Sequence, residues 1–173
     1  MLKFTRILYF VSSHLPCKII RGDKEHPYLE RYYLCSLLGR RFYLHRFLGG
    51  DVDESLHNHP WKQSNALLLT GGYLEYTAER NTPDNYNNMA VTSRQLKAGS
   101  FNRIDSECLH RIVEAKPETW TLFWHTIPRI QPWGFVVEEE RGNRFEEYAK
   151  GRGPDWYKRA PRGKHCPERL AYR

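Results

Sequence analysis

The chain has 173 residues, enough for one domain with a buried core and too few for two comfortable ones. Its aromatic content of 14% suits a β-rich interior, because rings and branched side chains fit a pleated surface. The formal charge of +7 is uneven: residues 1–140 carry 17 Lys and Arg against 16 Asp and Glu, whereas residues 141–173 carry 10 against 4, so the body is near neutral and the last 33 residues are basic.

In chain order, the N-terminal MLKFTRILYFV puts basic residues before an apolar run, but Ile7 to Val11 is too short for a signal-peptide core. No stretch approaches a membrane span. LERYYLCSLLGRRFYLHRFL from Leu29 reads as an N-terminal hairpin turning at Gly39, Arg40 and Arg41. The acidic loop GGDVDES follows, then LHNHPW, residues 56–61. NALLLTGGYLEYTAE reads as two strands about a Gly71-Gly72 turn, and RNTPDNYNNM is a loop by composition. VTSRQLKAGSFNRIDSECLHRIVEA gives short strands broken at Ala98-Gly99 and Asp105-Ser106, and TWTLFWHTI and WGFVVEE give two more. Short strands with turns every 8 to 12 residues are the pattern of an all-β sandwich or barrel rather than of βαβ units. One domain is expected over 1–140, with a basic extension over 141–173 ordered in part by Phe145, Tyr148, Trp156 and Tyr157. Such a basic tail could contact nucleic acid or serve only as a solvated arm. Cys17, Cys35, Cys108 and Cys166 are scattered without a CxxC pair, which argues against a zinc ribbon or a dense disulfide scaffold and fits a reducing cytoplasm.

LHNHPW carries the chemistry. In extended chain, residues i and i+2 face the same way, so His57 and His59 aim their rings at one point. A metal site needs at least a third ligand, and His110, opening a strand eleven residues beyond Gly99, is placed to supply it. A hydrogen-bonded polar cluster of three histidines is the alternative.

These spacings resemble the cupins. Their first motif places a glycine, five residues, HxH, three or four residues, a glutamate, six residues and a glycine; GDVDESLHNHPWKQSNALLLTG runs likewise from Gly50 to Gly71, with six residues before the histidine pair. Their second motif, PxGDxxxxPxxxxH, is matched in spacing by KAGSFNRIDSECLH, with Lys97, Ser100 and Asp105 where the family has proline, aspartate and proline. The resemblance covers residues 41–126, and within the family the chain looks like a group of small bacterial and phage cupins. It implies a double-stranded β-helix, or jelly-roll barrel, holding one divalent metal on His57, His59 and His110 near its mouth. The glutamate of the first motif is absent; Gln63 and Ser64 stand in its place, so the site is either a three-histidine type, as in the cysteine dioxygenase branch, or takes Gln63 as a neutral ligand. A neutral ligand set leaves the ion more positive and favours an anionic substrate.

Around that site, one of His45 and Arg46 faces inward by strand alternation, and His45 and His125 are candidate catalytic or ligand-orienting histidines. Arg103 is the candidate clamp for an anion, preferred to Arg111, which points opposite to His110. Tyr73 could add a phenol, and Arg46 is a further substrate-binding candidate. The resemblance implies a non-heme Fe(II) oxygenase acting on a small polar or anionic molecule. The alternatives are an isomerase, epimerase or lyase using Zn, Mn or Ni, and a non-enzymatic binding module whose basic tail contacts nucleic acid. A homodimer through exposed strand edges is also open.

Overall fold

The computed structural model describes residues 2–21, 27–49, 55–80, 86–148, 153 and 155–166. Most of the acidic loop (50–54), the centre of the asparagine-rich loop (81–85) and the end of the basic tail (167–173) lie outside the described residues, and so does Gly50 of the first motif.

Eleven described strands build the body: β1 (Cys17–Arg21), β2 (Pro27–Leu37), β3 (Arg40–Phe47), β4 (Gln63–Thr70), β5 (Gly72–Glu79), β6 (Val91–Lys97), β7 (Phe101–Asp105), β8 (Cys108–Ala115), β9 (Trp120–Thr126), β10 (Gly134–Glu139) and β11 (Gly142–Glu147). One antiparallel sheet has the order β1-β2-β3-β9-β4-β7; the facing layer has β6-β5-β8 and the hairpin β10-β11. His57 joins the two parts of that second layer, since it bridges to His110 of β8 on one side and to Phe135 of β10 on the other. The all-β double-stranded β-helix expected from the motifs is the fold the chain adopts.

Turn chemistry explains the strand breaks. Leu38 and Gly39 both have positive φ, 50° and 68°, which is what a two-residue turn needs to follow the twist of the β2-β3 hairpin. Gly71 turns β4 into β5 at φ 66°, and a side chain there would collide with Thr119. Between the two layers Leu29, Phe47, Leu68, Tyr73, Leu96 and Ile112 pack as one core. On the outer face of the larger sheet a second core holds Leu8, Cys17, Ile19, Tyr32, Leu44, Trp120 and Cys166.

That second core includes an element the sequence pattern did not suggest, the helix α1 (Leu2–Ser13). Leu8 and Ser12 are buried, while Phe4, Ile7, Phe10 and Val11 on its other side are exposed. Apolar residues all round blur the one-sided periodicity by which an amphipathic helix is read, so the segment looks like a short apolar run. The basic extension is partly built into the same region. The Cys17 amide donates to Pro161, that of Gly163 to Leu15, and Tyr157 stacks on Tyr33 with ring centres 3.7 Å apart. Strand β11 pairs along the length of β10. No described helix is long and apolar enough to cross a membrane.

Candidate metal centre and its cavity

LHNHPW is held as extended chain between two strands. The His57 amide donates to the His110 carbonyl at 3.0 Å, the His110 amide returns the bond at 2.9 Å, and the Val136 amide donates to Leu56 at 2.8 Å. Asn58 points the other way, as alternation requires, and acts as a clasp: its Nδ2 donates to the Pro132 carbonyl at 2.9 Å and its Oδ1 accepts from the Gly134 amide at 3.0 Å. The Gln131 amide donates to the His59 carbonyl at 2.9 Å, and Trp61 lies flat on His125 with ring centres 3.6 Å apart. The backbone and both flanks therefore fix where the two rings point.

His57, His59 and His110 converge, with one ring nitrogen from each lying within 4.8 Å of the others. The Nε2 atoms of His59 and His110 are 3.0 Å apart. Imidazole nitrogens roughly 2.1 Å from a shared ion, at right angles, would stand about 3.0 Å apart, so this edge already has the spacing of a metal site. Burial first, and neighbouring imidazoles after it, hold His57 and His59 well below the ordinary histidine range. Both are neutral at pH 7, the state in which imidazole binds metal. Nδ1 of His59, on the opposite side of the ring from that edge, is buried with no hydrogen-bond partner among the described residues. These residues fit a divalent ion.

Behind His110 stands Glu75, a residue the sequence reading passed over. It is fully buried, and its Oε1 accepts from His110 Nδ1 at 2.7 Å. Arg94 Nε and Asn102 Nδ2 each donate to it at 2.9 Å, and Asn102 also reaches the Tyr73 hydroxyl at 3.2 Å. Burial alone would raise the Glu75 carboxyl, but the hydrogen bond from His110 and the charge of Arg94 outweigh it and hold the group below the usual carboxylate range. A carboxylate on Nδ1–H fixes the tautomer of His110, turns its Nε2 lone pair outward and makes it a stronger donor. The available signal was an acidic residue inside the alternating run GYLEYTAE, on the same face as Tyr73.

The triad opens on a cavity of about 640 Å³ between the two layers. His45, His125 and Tyr73 line it, and so do Phe123, Tyr43, Trp61 and Thr121. Burial and then the Arg31 charge keep His45 well below the usual histidine range. Burial is also the main cause that lowers His125 to about 3, with its Nδ1 held by the Thr126 carbonyl at 2.7 Å.

Three candidates fall elsewhere. Arg103 is on the outer side of β7, 61% exposed at its side chain and paired with Asp105 at 3.2 Å, because its neighbours Asn102 and Ile104 take the inward positions. Gln63 shares that outer side. Its amide oxygen accepts from Arg103, whereas Ser64, next in sequence, is fully buried on the inner side where the motif's glutamate would project. Arg46 faces the helix, ion-paired with Glu30 at 3.1 Å and with Glu118 at 2.9 Å. Among the guanidinium groups that do line the cavity is that of Arg31, on a strand that precedes the motifs.

No family model matches the chain, and no curated protein matches it. Among solved structures it is similar to hydroxypropylphosphonic acid epoxidase from S. wedmorenis, at 13% identity and TM-score 0.44, covering 64% of this chain and 55% of that one. It is similar to a cupin-2 domain containing protein from Shewanella frigidimarina, at 18% identity and TM-score 0.40, covering 56% of this chain and 79% of that one. A structure of DMSP lyases gives 13% identity and TM-score 0.47 over 68% of this chain and 59% of that one. The chain thus spans little more than half the length of the epoxidase and the lyase. Identities of this size carry nothing about activity.

Proposed function

We propose that the chain is a metal-dependent enzyme of the cupin type in which His57, His59 and His110 hold one divalent ion, and that with Fe(II) it oxidises a polar or anionic organic substrate. The observation that carries this reading is the convergence of three imidazoles on one wall of the cavity with Glu75 bonded behind His110. When bound, the metal supplies a Lewis acid and a redox centre with positions open to ligands. The chain's own residues hold it, shape the cavity and exclude water. With Ser64 where the glutamate would be, the described ligand set is neutral and leaves the ion's charge to attract an anion. Lys18, Arg31, Arg41 and Arg129 line the cavity, and among its described lining residues there is no Asp or Glu.

The isomerase or lyase alternative, with a histidine moving the proton, needs one that takes a proton near neutral pH. Burial holds His125 at about 3 and His45 well below its usual range, so both serve better as neutral hydrogen-bonding groups. The test is to load the protein anaerobically with Fe(II) or Zn(II), admit oxygen and follow its consumption with a panel of organic acids. Oxygen uptake by the Fe(II) protein alone supports the reading. Turnover by the Zn(II) protein without oxygen would replace it with the isomerase or lyase.

A further inference from the structure

Cross-strand register builds a row of polar side chains on the cavity face of the larger sheet. Arg31 of β2 is opposite His45 of β3, and His45 is opposite Thr121 of β9. Side chains in register share a face, and all three line the cavity. Arg31 Nε donates to His45 Nε2 at 3.0 Å, so the proton of that imidazole sits on Nδ1. The guanidinium carbon of Arg31 lies 5.5 Å from the centre of the Tyr43 ring and 5.9 Å from that of Phe123. Thr121 is 1% exposed, yet its Oγ1 has no hydrogen-bond partner among the described residues. A buried hydroxyl is rarely left so unless a ligand or water meets it.

The neighbouring row, two residues along the strands and about 7 Å away, is apolar: Tyr43, Phe123 and Ala66. His59 meets Phe123 edge-on with ring centres 5.8 Å apart. A molecule in this cavity therefore finds donors at one end, ring faces in the middle and the triad at the other end. A volume of about 640 Å³ suits a ligand well above the size of a simple amino acid.

We propose that Arg31, His45 and Thr121 form the subsite for the anionic headgroup of an organic acid whose flat apolar body lies over Tyr43 and Phe123 and whose far end reaches the histidines. Only the contact at the far end rests on the metal reading. The headgroup is a carboxylate or a phosphate, both of which a guanidinium binds through paired N–H donors.

Calorimetric titration of the full chain with 2-naphthoate, 2-naphthyl phosphate and the neutral 2-naphthamide tests this and distinguishes the two headgroups. At least one anion should bind about tenfold or more tightly than the amide, and Arg31→Gln should abolish that preference. Thr121→Val should weaken the preferred anion about three- to tenfold and Thr121→Ser should restore it, which separates a hydrogen bond from a packing defect. Arg31→Lys should fall between the wild type and Arg31→Gln, since it keeps the charge and loses the fork. Equal binding of anions and amide, or binding unchanged by Arg31→Gln and Thr121→Val, overturns the proposal. So does the absence of anion binding at millimolar concentration. The preference should persist in His57→Ala, because the sheet carries it; loss there would show that the ion, not the row, selects the anion. Metal content measured on the same samples tells failure of the subsite from failure of the metal centre.

Discussion

Two rows of side chains cross the larger sheet one residue apart, on opposite faces, and they are built to different ends. On the outer face Glu30, Arg46 and Trp120 stand in register beneath the helix. There the charges meet: Glu30, fully buried, pairs with Arg46 and accepts from the Tyr32 hydroxyl at 2.6 Å, while Glu118 takes both Arg46 and the Tyr9 hydroxyl at 2.7 Å. On the inner face Arg31, His45 and Thr121 front a cavity, and His45, His57 and His59 are kept neutral by burial. A buried ion pair of the first kind organises the fold, whereas a cavity walled by an arginine and buried neutral histidines, as on the second face, is explained by a ligand.

The largest effect expected from breaking this contrast is on the outer face. Arg46→Ala leaves Glu30 buried without its cation and should cost about 3–5 kcal/mol in denaturant unfolding, with metal affinity unchanged at temperatures where the protein is folded. On the inner side, Glu75→Gln should weaken metal binding about 10- to 100-fold in chelator competition, because a neutral amide replaces the carboxylate that accepts from His110 Nδ1 and strengthens its other nitrogen as a donor. The third prediction concerns acid. The folded-state pKa of His125, about 3, lies below its value in the unfolded chain, so the unfolded chain binds the extra proton. Its contribution is fully present above about pH 6.5 and is lost as pH falls towards the folded value, at up to about 1.4 kcal/mol per pH unit. His45, His57 and His59 shift in the same direction. Metal-free protein should therefore lose stability between pH 6.5 and 5 in thermal melts, and His125→Phe should flatten that dependence. The smallest effect belongs to Arg103→Ala. Removing an exposed pair with Asp105 should change stability by less than about 0.5 kcal/mol and leave binding in the cavity untouched.

The strand pattern and the histidines were legible in the sequence because both are local. Turn glycines such as Gly39 and Gly71 punctuate the chain, and the i, i+2 rule gives His57 and His59 a common face before any fold is known. His110 needed the spacing of two motifs. What stayed hidden depends on register between strands distant in sequence. Arg31 reaches the cavity because β2 pairs with β3 and β3 with β9, and no spacing within one segment reveals that. Arg103 was misplaced for want of a phase: on a strand as short as Phe101–Asp105 either alternation is plausible, and burial of Asn102 and Ile104 decides it. Gln63 and Ser64 posed the same one-residue question, and Ser64 took the inward place. The helix escaped because its outer side is as apolar as its inner one.

The most direct test of the account is the metal content of purified protein and of its His59→Ala variant, measured by mass spectrometry after exhaustive dialysis and reloading with Fe(II). The account predicts a stoichiometric ion in the wild type and almost none in the variant, with both chains folded to the same extent by circular dichroism. Equal metal content in the two, or none in either, would contradict it and leave the three histidines as a polar cluster in the wall of the cavity.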